Sequence, residues 1–224
     1  MATVTPTVSL TINGQTVQAS EGQRLLWAAE EAGIYIPHLC AHPDREPPFG
    51  GCRLCYVEIE GRSKPVTSCT EPVQEGMVVH TDTPAVQRLV RSGFQLLLST
   101  HHLDCKVCPA KRDCGLRHVS RNSKVKLRSG NLRKLEPGLP IDDSHPLFGL
   151  DPNRCILCGL CIWVCEEQVG KGLLNFAQRG LETRLSTFDN APLADHDCDC
   201  GEDCLRCVDI CPVGALYRKP TADA

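Results

Sequence analysis

The sequence predicts an α+β chain of small modules, each stapled by bound metal rather than by one large core. Three observations predict it. Sixteen of the 224 residues are cysteine, far above ordinary usage. The cysteines fall in tight local runs and are not scattered. Aromatic residues make up only 4% of the chain, which is thin for a single core of this length. Met1 to Leu10 shows neither a basic start nor an apolar signal segment, and no apolar run reaches the length of a membrane span. A reducing, cytoplasmic setting is therefore expected, in which clustered cysteines act as metal ligands and not as disulfides. The formal charge of -3 excludes little.

Residues 1–82 read as a small mixed module. Val8–Ile12 and Thr16–Ala19 flank Asn13-Gly14, the strongest short hairpin signal. A helix is expected from Glu21, capped by Ser20, with Leu25, Leu26, Ala28, Ala29 and Ala32 on its apolar face and Gly33 as its stop. Tyr56–Glu60 and Pro65–Ser68 read as a second hairpin, and Met77–His80 as a last strand. This element order fits a ubiquitin-like β-grasp. Among these elements stand Cys40, Cys52, Cys55 and Cys69. One close pair and two distant partners suit a [2Fe–2S] cluster of the plant-ferredoxin kind, with a longer first gap. Gly50 and Gly51 let the loop turn its amides toward sulfur. A zinc ribbon is the competing reading, but it usually takes two C-x2-C pairs, and only one is present.

Residues 83–134 are expected to be helical around a second metal site. Thr83-Pro84 opens a helix, with Thr83 as N-cap. Val86, Leu89, Val90, Phe94, Leu97 and Leu98 recur at helical spacing as core positions. At its end stands His101, followed by Cys105, Cys108 and Cys114. Three clustered cysteines lack a fourth ligand, and His101 can supply it to a [4Fe–4S] cluster; on spacing alone His102 is its rival. Residues 111–134 are strongly basic, with Asp113 the single acid. Nucleic-acid binding is disfavoured there, because no aromatic residue interleaves the charges. A solvated face and a docking surface for an acidic partner both remain open.

Residues 135–144, with Pro137, Gly138 and Pro140, read as a linker into residues 145–224. That last module carries Cys155, Cys158, Cys161 and Cys165 at C-x2-C-x2-C-x3-C spacing, then Cys204, Cys207 and Cys211 followed by Pro212. This is the ligand pattern of a two-cluster ferredoxin, in which the last cysteine of each run serves the other cluster. Cys155, Cys158, Cys161 and Cys211 would then form one set. Cys165, Cys204 and Cys207 would form the other with one further cysteine. Strict spacing puts that ligand at Gly201; Cys200 is favoured over Cys198 because it is nearer. The stretch between Cys165 and Cys200 exceeds a minimal ferredoxin and is expected to be an insertion, with Gly170, Gly172 and Gly180 at turns. Together the sets use fifteen of the sixteen cysteines.

The order of sites resembles the N-terminal half of the large iron–sulfur subunit of respiratory complex I. It is also similar to the small diaphorase subunit of NAD-linked hydrogenases and to the N-terminal region of iron-only hydrogenases and NAD-linked formate dehydrogenases. The matching pieces are the spacing of Cys40 to Cys69, His-His-Leu-Asp-Cys-Lys-Val-Cys at 101–108, Asp-Pro-Asn-Arg-Cys-Ile-Leu-Cys-Gly at 151–159 and Cys-Pro-Val-Gly-Ala-Leu at 211–216. The resemblance implies His101 as the ligand. It implies one [2Fe–2S] and three [4Fe–4S] clusters that relay electrons between a flavin-containing NAD(P)H-oxidising subunit and a separate catalytic subunit. That subunit would be a hydrogenase, a formate dehydrogenase or another low-potential enzyme. The chain itself would be non-catalytic, with no nucleic-acid partner and no membrane insertion. Relatives in this family continue into a catalytic domain where this sequence stops at Ala224, so a free-standing wiring subunit is expected. The alternatives are a split core subunit of a complex I-like membrane enzyme, a cluster-delivery protein, and a zinc-stapled structural or nucleic-acid-binding protein. No dinucleotide fingerprint or phosphate-binding loop is present.

Overall fold

The computed structural model describes residues 6–196 and 205–220. Its chain divides into two compact bodies. One takes residues up to Phe94 together with Asn122–Val125; the other takes Gln95–Arg121 and the residues from Lys126 onward.

The first body is built on strands β1 (Thr7–Ile12) and β2 (Gln15–Ser20), paired antiparallel from Thr7↔Ser20 to Ile12↔Gln15. Asn13 and Gly14 both take positive φ (51° and 82°), as a two-residue turn matched to strand twist demands. Val8, Leu10 and Ile12 alternate into the core. Strands β3 (Tyr56–Ile59), β4 (Val66–Thr67) and β5 (Val78–His80) complete a five-stranded sheet of order β2-β1-β5-β3-β4. The β1–β5 pair is parallel and the others are antiparallel, the arrangement of a β-grasp. Helix α1 (Leu25–Glu31) buries Leu25, Leu26, Ala28 and Ala29 in the same core as the strands.

Helix α1 begins at Leu25, four residues after the Glu21 start expected from the sequence, and without a side-chain cap. Two tertiary acceptors explain the shift. The Leu25 amide donates to the Glu71 carbonyl (2.8 Å) and the Leu26 amide to the Ser68 carbonyl (3.1 Å). These satisfy donors that a cap would otherwise serve, while Ser20 is held in a turn with Gln23. Gly33 ends the helix at φ +75° as expected, its neighbour Ile34 donating back to Ala29.

Helix α2 (Pro84–Thr100) starts where predicted, with Thr83 Oγ1 accepting from the Val86 amide at 3.2 Å. It buries Val86, Val90, Phe94 and Leu98; Leu89 and Leu97 are half-buried. Helix α3 (Gly115–Asn122) buries only Leu116 and Val119. Strand β6 (Phe148–Leu150) pairs antiparallel with β9 (Leu216–Arg218), so the last module is closed by its two ends. Between them lie two short helices, α4 (Leu160–Trp163) and α5 (Arg206–Asp209), and a hairpin of β7 (Leu174–Ala177) and β8 (Arg184–Thr187). The hairpin lies in the stretch after Cys165 that the sequence spacing leaves for an insertion. No described helix is long and apolar enough to cross a membrane.

Candidate metal centres

Thirteen cysteines lie among the described residues, and all are free thiols. Cys40 follows α1 on a loop, Cys52 and Cys55 precede β3, and Cys69 follows β4. All four are buried. They stand as two hydrogen-bonded thiol pairs. The Cys52 thiol and the Cys52 and Gly51 amides pull Cys40 down to about 6, and its partner Cys52 is pushed up. The Cys55 thiol likewise lowers Cys69 while Cys55 rises. The Cys52 amide reaches the Cys40 sulfur at 3.3 Å. A Cβ at residue 51 would lie 2.5 Å from the Phe49 ring, so a side chain there would have to displace that exposed ring. Two thiol pairs match what a two-iron cluster asks of four cysteines, two thiolates for each iron.

His101 caps the end of α2 in sequence, and Cys114 immediately precedes α3. One small cavity in the second body is bordered by His101, His102, Cys105, Cys108 and Cys114. The two histidines differ. His101 is buried, and its Nδ1–H donates to the Arg154 carbonyl at 2.9 Å. A carbonyl can only accept, so Nε2 keeps its lone pair, the state a metal ligand needs. Burial lowers the His101 pKa to about 4, which holds the ring neutral. His102 is 45% exposed and its Nδ1 faces the Glu136 carboxylate at 2.9 Å. The Cys114 thiol is pushed up by burial.

In the last module, Cys155 and Cys158 lie on the loop into α4, Cys161 lies within α4, and Cys211 follows α5. All four border one cavity with Phe176, Leu185 and Val213. Backbone amides point at two of these sulfurs, Leu157 to Cys155 at 3.4 Å and Leu216 to Cys211 at 3.5 Å. Burial pushes the Cys155 thiol up to about 12 and Cys161 well above its usual range. Cys165 sits on a π-helical turn (Val164–Gln168) after α4 and accepts from the Leu173 amide at 3.2 Å. Cys207, on α5, is raised to about 12, first by burial and then by Cys165. Cys198, Cys200 and Cys204 lie outside the described residues, and so does the choice between Cys198 and Cys200.

Among the described residues no three side chains could hold a single metal ion. A polynuclear cluster does not ask this, because each thiolate binds its own iron. The donor chemistry fits such clusters: soft sulfur ligands, buried, with amide N–H groups directed at the sulfurs. Apart from the loop at Gly50-Gly51, the sulfur-directed amides, those of Leu157, Leu173 and Leu216, have no side-chain signature in the sequence. Arg154, within the 151–159 motif, reaches the His101 site through its carbonyl, and no sequence signal marks that role.

Fold and donor set together define an iron–sulfur protein, and comparisons with known proteins agree. A family model described as a 2Fe-2S iron–sulfur cluster binding domain matches residues 5–84. A second, the ferredoxin-like domain of NADH-quinone oxidoreductase subunit 3, matches residues 145–217. A chain of the NAD+-reducing [NiFe]-hydrogenase, solved in its H2-reduced state, is 35% identical with TM-score 0.85, over 97% of this chain and 89% of that one. The NADPH-Fe(3+) oxidoreductase subunit alpha of Geobacter sulfurreducens is 38% identical over 95% of this chain and 24% of its own length. The mitochondrial NADH-ubiquinone oxidoreductase 78 kDa subunit of Neurospora crassa is 34% identical over 96% of this chain and 28% of its own. The chain thus spans about a quarter of the length of these curated relatives. It belongs to the family of iron–sulfur electron-transfer subunits of NADH- and NADPH-linked oxidoreductases.

Proposed function

We propose that the chain relays electrons through one [2Fe–2S] and three [4Fe–4S] clusters, between a flavin-containing NAD(P)H-oxidising subunit and a separate catalytic subunit. The clusters supply one-electron redox steps at low potential; the chain supplies ligands, burial and hydrogen bonds to sulfur. Cys40, Cys52, Cys55 and Cys69 hold the two-iron cluster. His101, Cys105, Cys108 and Cys114 hold a [4Fe–4S] cluster with one neutral ligand. Cys155, Cys158, Cys161 and Cys211 hold the next, and Cys165, Cys204, Cys207 and Cys200 the last. The modules at 1–82, 83–134 and 145–224 carry these sites, in a complex of the cytoplasm. A hydrogenase or another low-potential oxidoreductase suits the catalytic subunit.

The observation that carries the reading is the cavity bordered by Cys155, Cys158, Cys161 and the distant Cys211. It crosses the two cysteine runs in the manner of a two-cluster ferredoxin. Iron, acid-labile sulfide and zinc on anaerobically purified protein test it, with EPR on the same reduced sample. The reading expects about 14 iron and about 14 sulfide per chain and negligible zinc. Zinc in place of iron, with no reduced-state signal, overturns it.

A further inference from the structure

Arg154 is a buried cation with an unexplained surplus of donors. The residue is 8% exposed. Its Nε donates to Asp151 Oδ2 at 2.8 Å, and the Asp151 side chain is equally enclosed. Its Nη1 is buried with no hydrogen-bond partner. Asp151 is itself fixed. Its amide donates to the Ala215 carbonyl at 2.7 Å, and its Oδ1 accepts from the Asn153 amide and side chain. Taking such an ion pair out of water is costly, and a buried pair is weak evidence for a stabilising role. A cation left with a free donor asks for a further anion. Besides Asp151 the guanidinium meets the Cys108 sulfur, a group that becomes an anionic thiolate when it binds iron. The main chain of the same residue also holds the other end of that site, through the His101 Nδ1–H bond to the Arg154 carbonyl.

We propose that Arg154 is a positioning residue for the cluster held by His101, Cys105, Cys108 and Cys114, its buried guanidinium raising that cluster's reduction potential. The proposal rests on the four-cluster reading and deepens it. Reduction adds one electron, and a fixed positive charge beside a ligand sulfur stabilises the reduced form. Burial leaves this interaction little screened. Asp151 holds the guanidinium in place and offsets part of its charge. Side chain and carbonyl act separately: the first sets the field at Cys108, the second sets the tautomer of His101.

An EPR-monitored redox titration of the full chain, purified anaerobically, tests this with Arg154→Met, Arg154→Lys and Asp151→Asn. Arg154→Met is expected to keep the cluster and its ligand-nitrogen coupling, since the backbone carbonyl remains. Its reduction equilibrium should fall about tenfold, which for a one-electron couple is about 59 mV more negative. Arg154→Lys restores the charge and should recover part of the shift. Asp151→Asn removes the counter-charge and should move the potential the other way. A merely structural role gives no such opposition of sign. Wild-type potential in an Arg154→Met protein that keeps the cluster overturns the proposal. If Arg154→Met loses the cluster, Asp151→Asn decides: a more positive potential supports the proposal, and an unchanged or more negative one overturns it. Wild-type protein without a nitrogen-coupled cluster refutes the four-cluster reading itself, and this proposal with it.

Discussion

In the first body seventeen residues bury together in one cluster, and only Cys55 and Cys69 among them are cysteines. In the last module the corresponding cluster has ten buried members, among them Cys161 and Cys207, and Cys155 and Cys211 pack against it. The helices differ in the same sense. α1 lays four apolar residues into a five-stranded sheet, whereas α4 and α5 have four residues each. Helices that short do not persist without external support. The first body therefore has a core of the ordinary kind with a ligand loop attached to it. In the last module cysteines make up a larger share of a smaller core, so metal binding is expected to contribute more to folding there.

The strongest way to break this comparison is to remove the iron. Anaerobic chelation is expected to abolish amide-exchange protection in β6, β9, α4 and α5 while β1, β2 and β5 keep theirs. Equal loss in both bodies would erase the distinction. The next effect should come from Leu26→Ala. Leu26 is fully buried in the first core, and its truncation should cost about 2–5 kcal/mol. Denaturant unfolding followed at the sheet reads it, and the cluster spectra of the last module should not change.

Gly214→Ala probes the second body more gently. Gly214 has φ +72°, and a Cβ would stand 2.8 Å from Ala110 Cβ and 3.1 Å from the Ala110 amide nitrogen. Backbone cannot move aside as a flexible side chain can. The expected cost is about 1–3 kcal/mol, seen as a lower melting temperature for the second body with the first unchanged.

The smallest effect belongs to the surface of the first body. Arg24 holds the Glu46 carboxyl below its ordinary 4.5, through a hydrogen bond at 2.6 Å. The carboxylate is 53% exposed, so the pair is worth about 0.2–1 kcal/mol. A depressed carboxyl stabilises the fold above pH 4.5, and the contribution is lost as pH falls through the folded value. The stability difference between wild type and Glu46→Gln should accordingly vanish in acid. A difference that persists at low pH would assign the effect to packing.

Much of this could be read without coordinates because its causes are local. Asn13-Gly14 turns a hairpin through its own backbone preference. Thr83 caps α2 within one turn, and three cysteines spaced by two residues share one loop whatever surrounds them. The start of α1 was not legible, because its first donors are satisfied by Glu71 and Ser68, far away in the chain.

The sequence by itself determined which residues could be ligands and in what groups, since ligand spacing is a property of short segments. Only the tertiary structure distinguishes His101 from His102 in burial and hydrogen bonding, because burial and the Arg154 carbonyl are supplied by a distant segment. It also set the Arg154 and Asp151 charges inside the protein, where low screening makes a single charge count. Those are long-range facts of burial and field, and no local pattern encodes them.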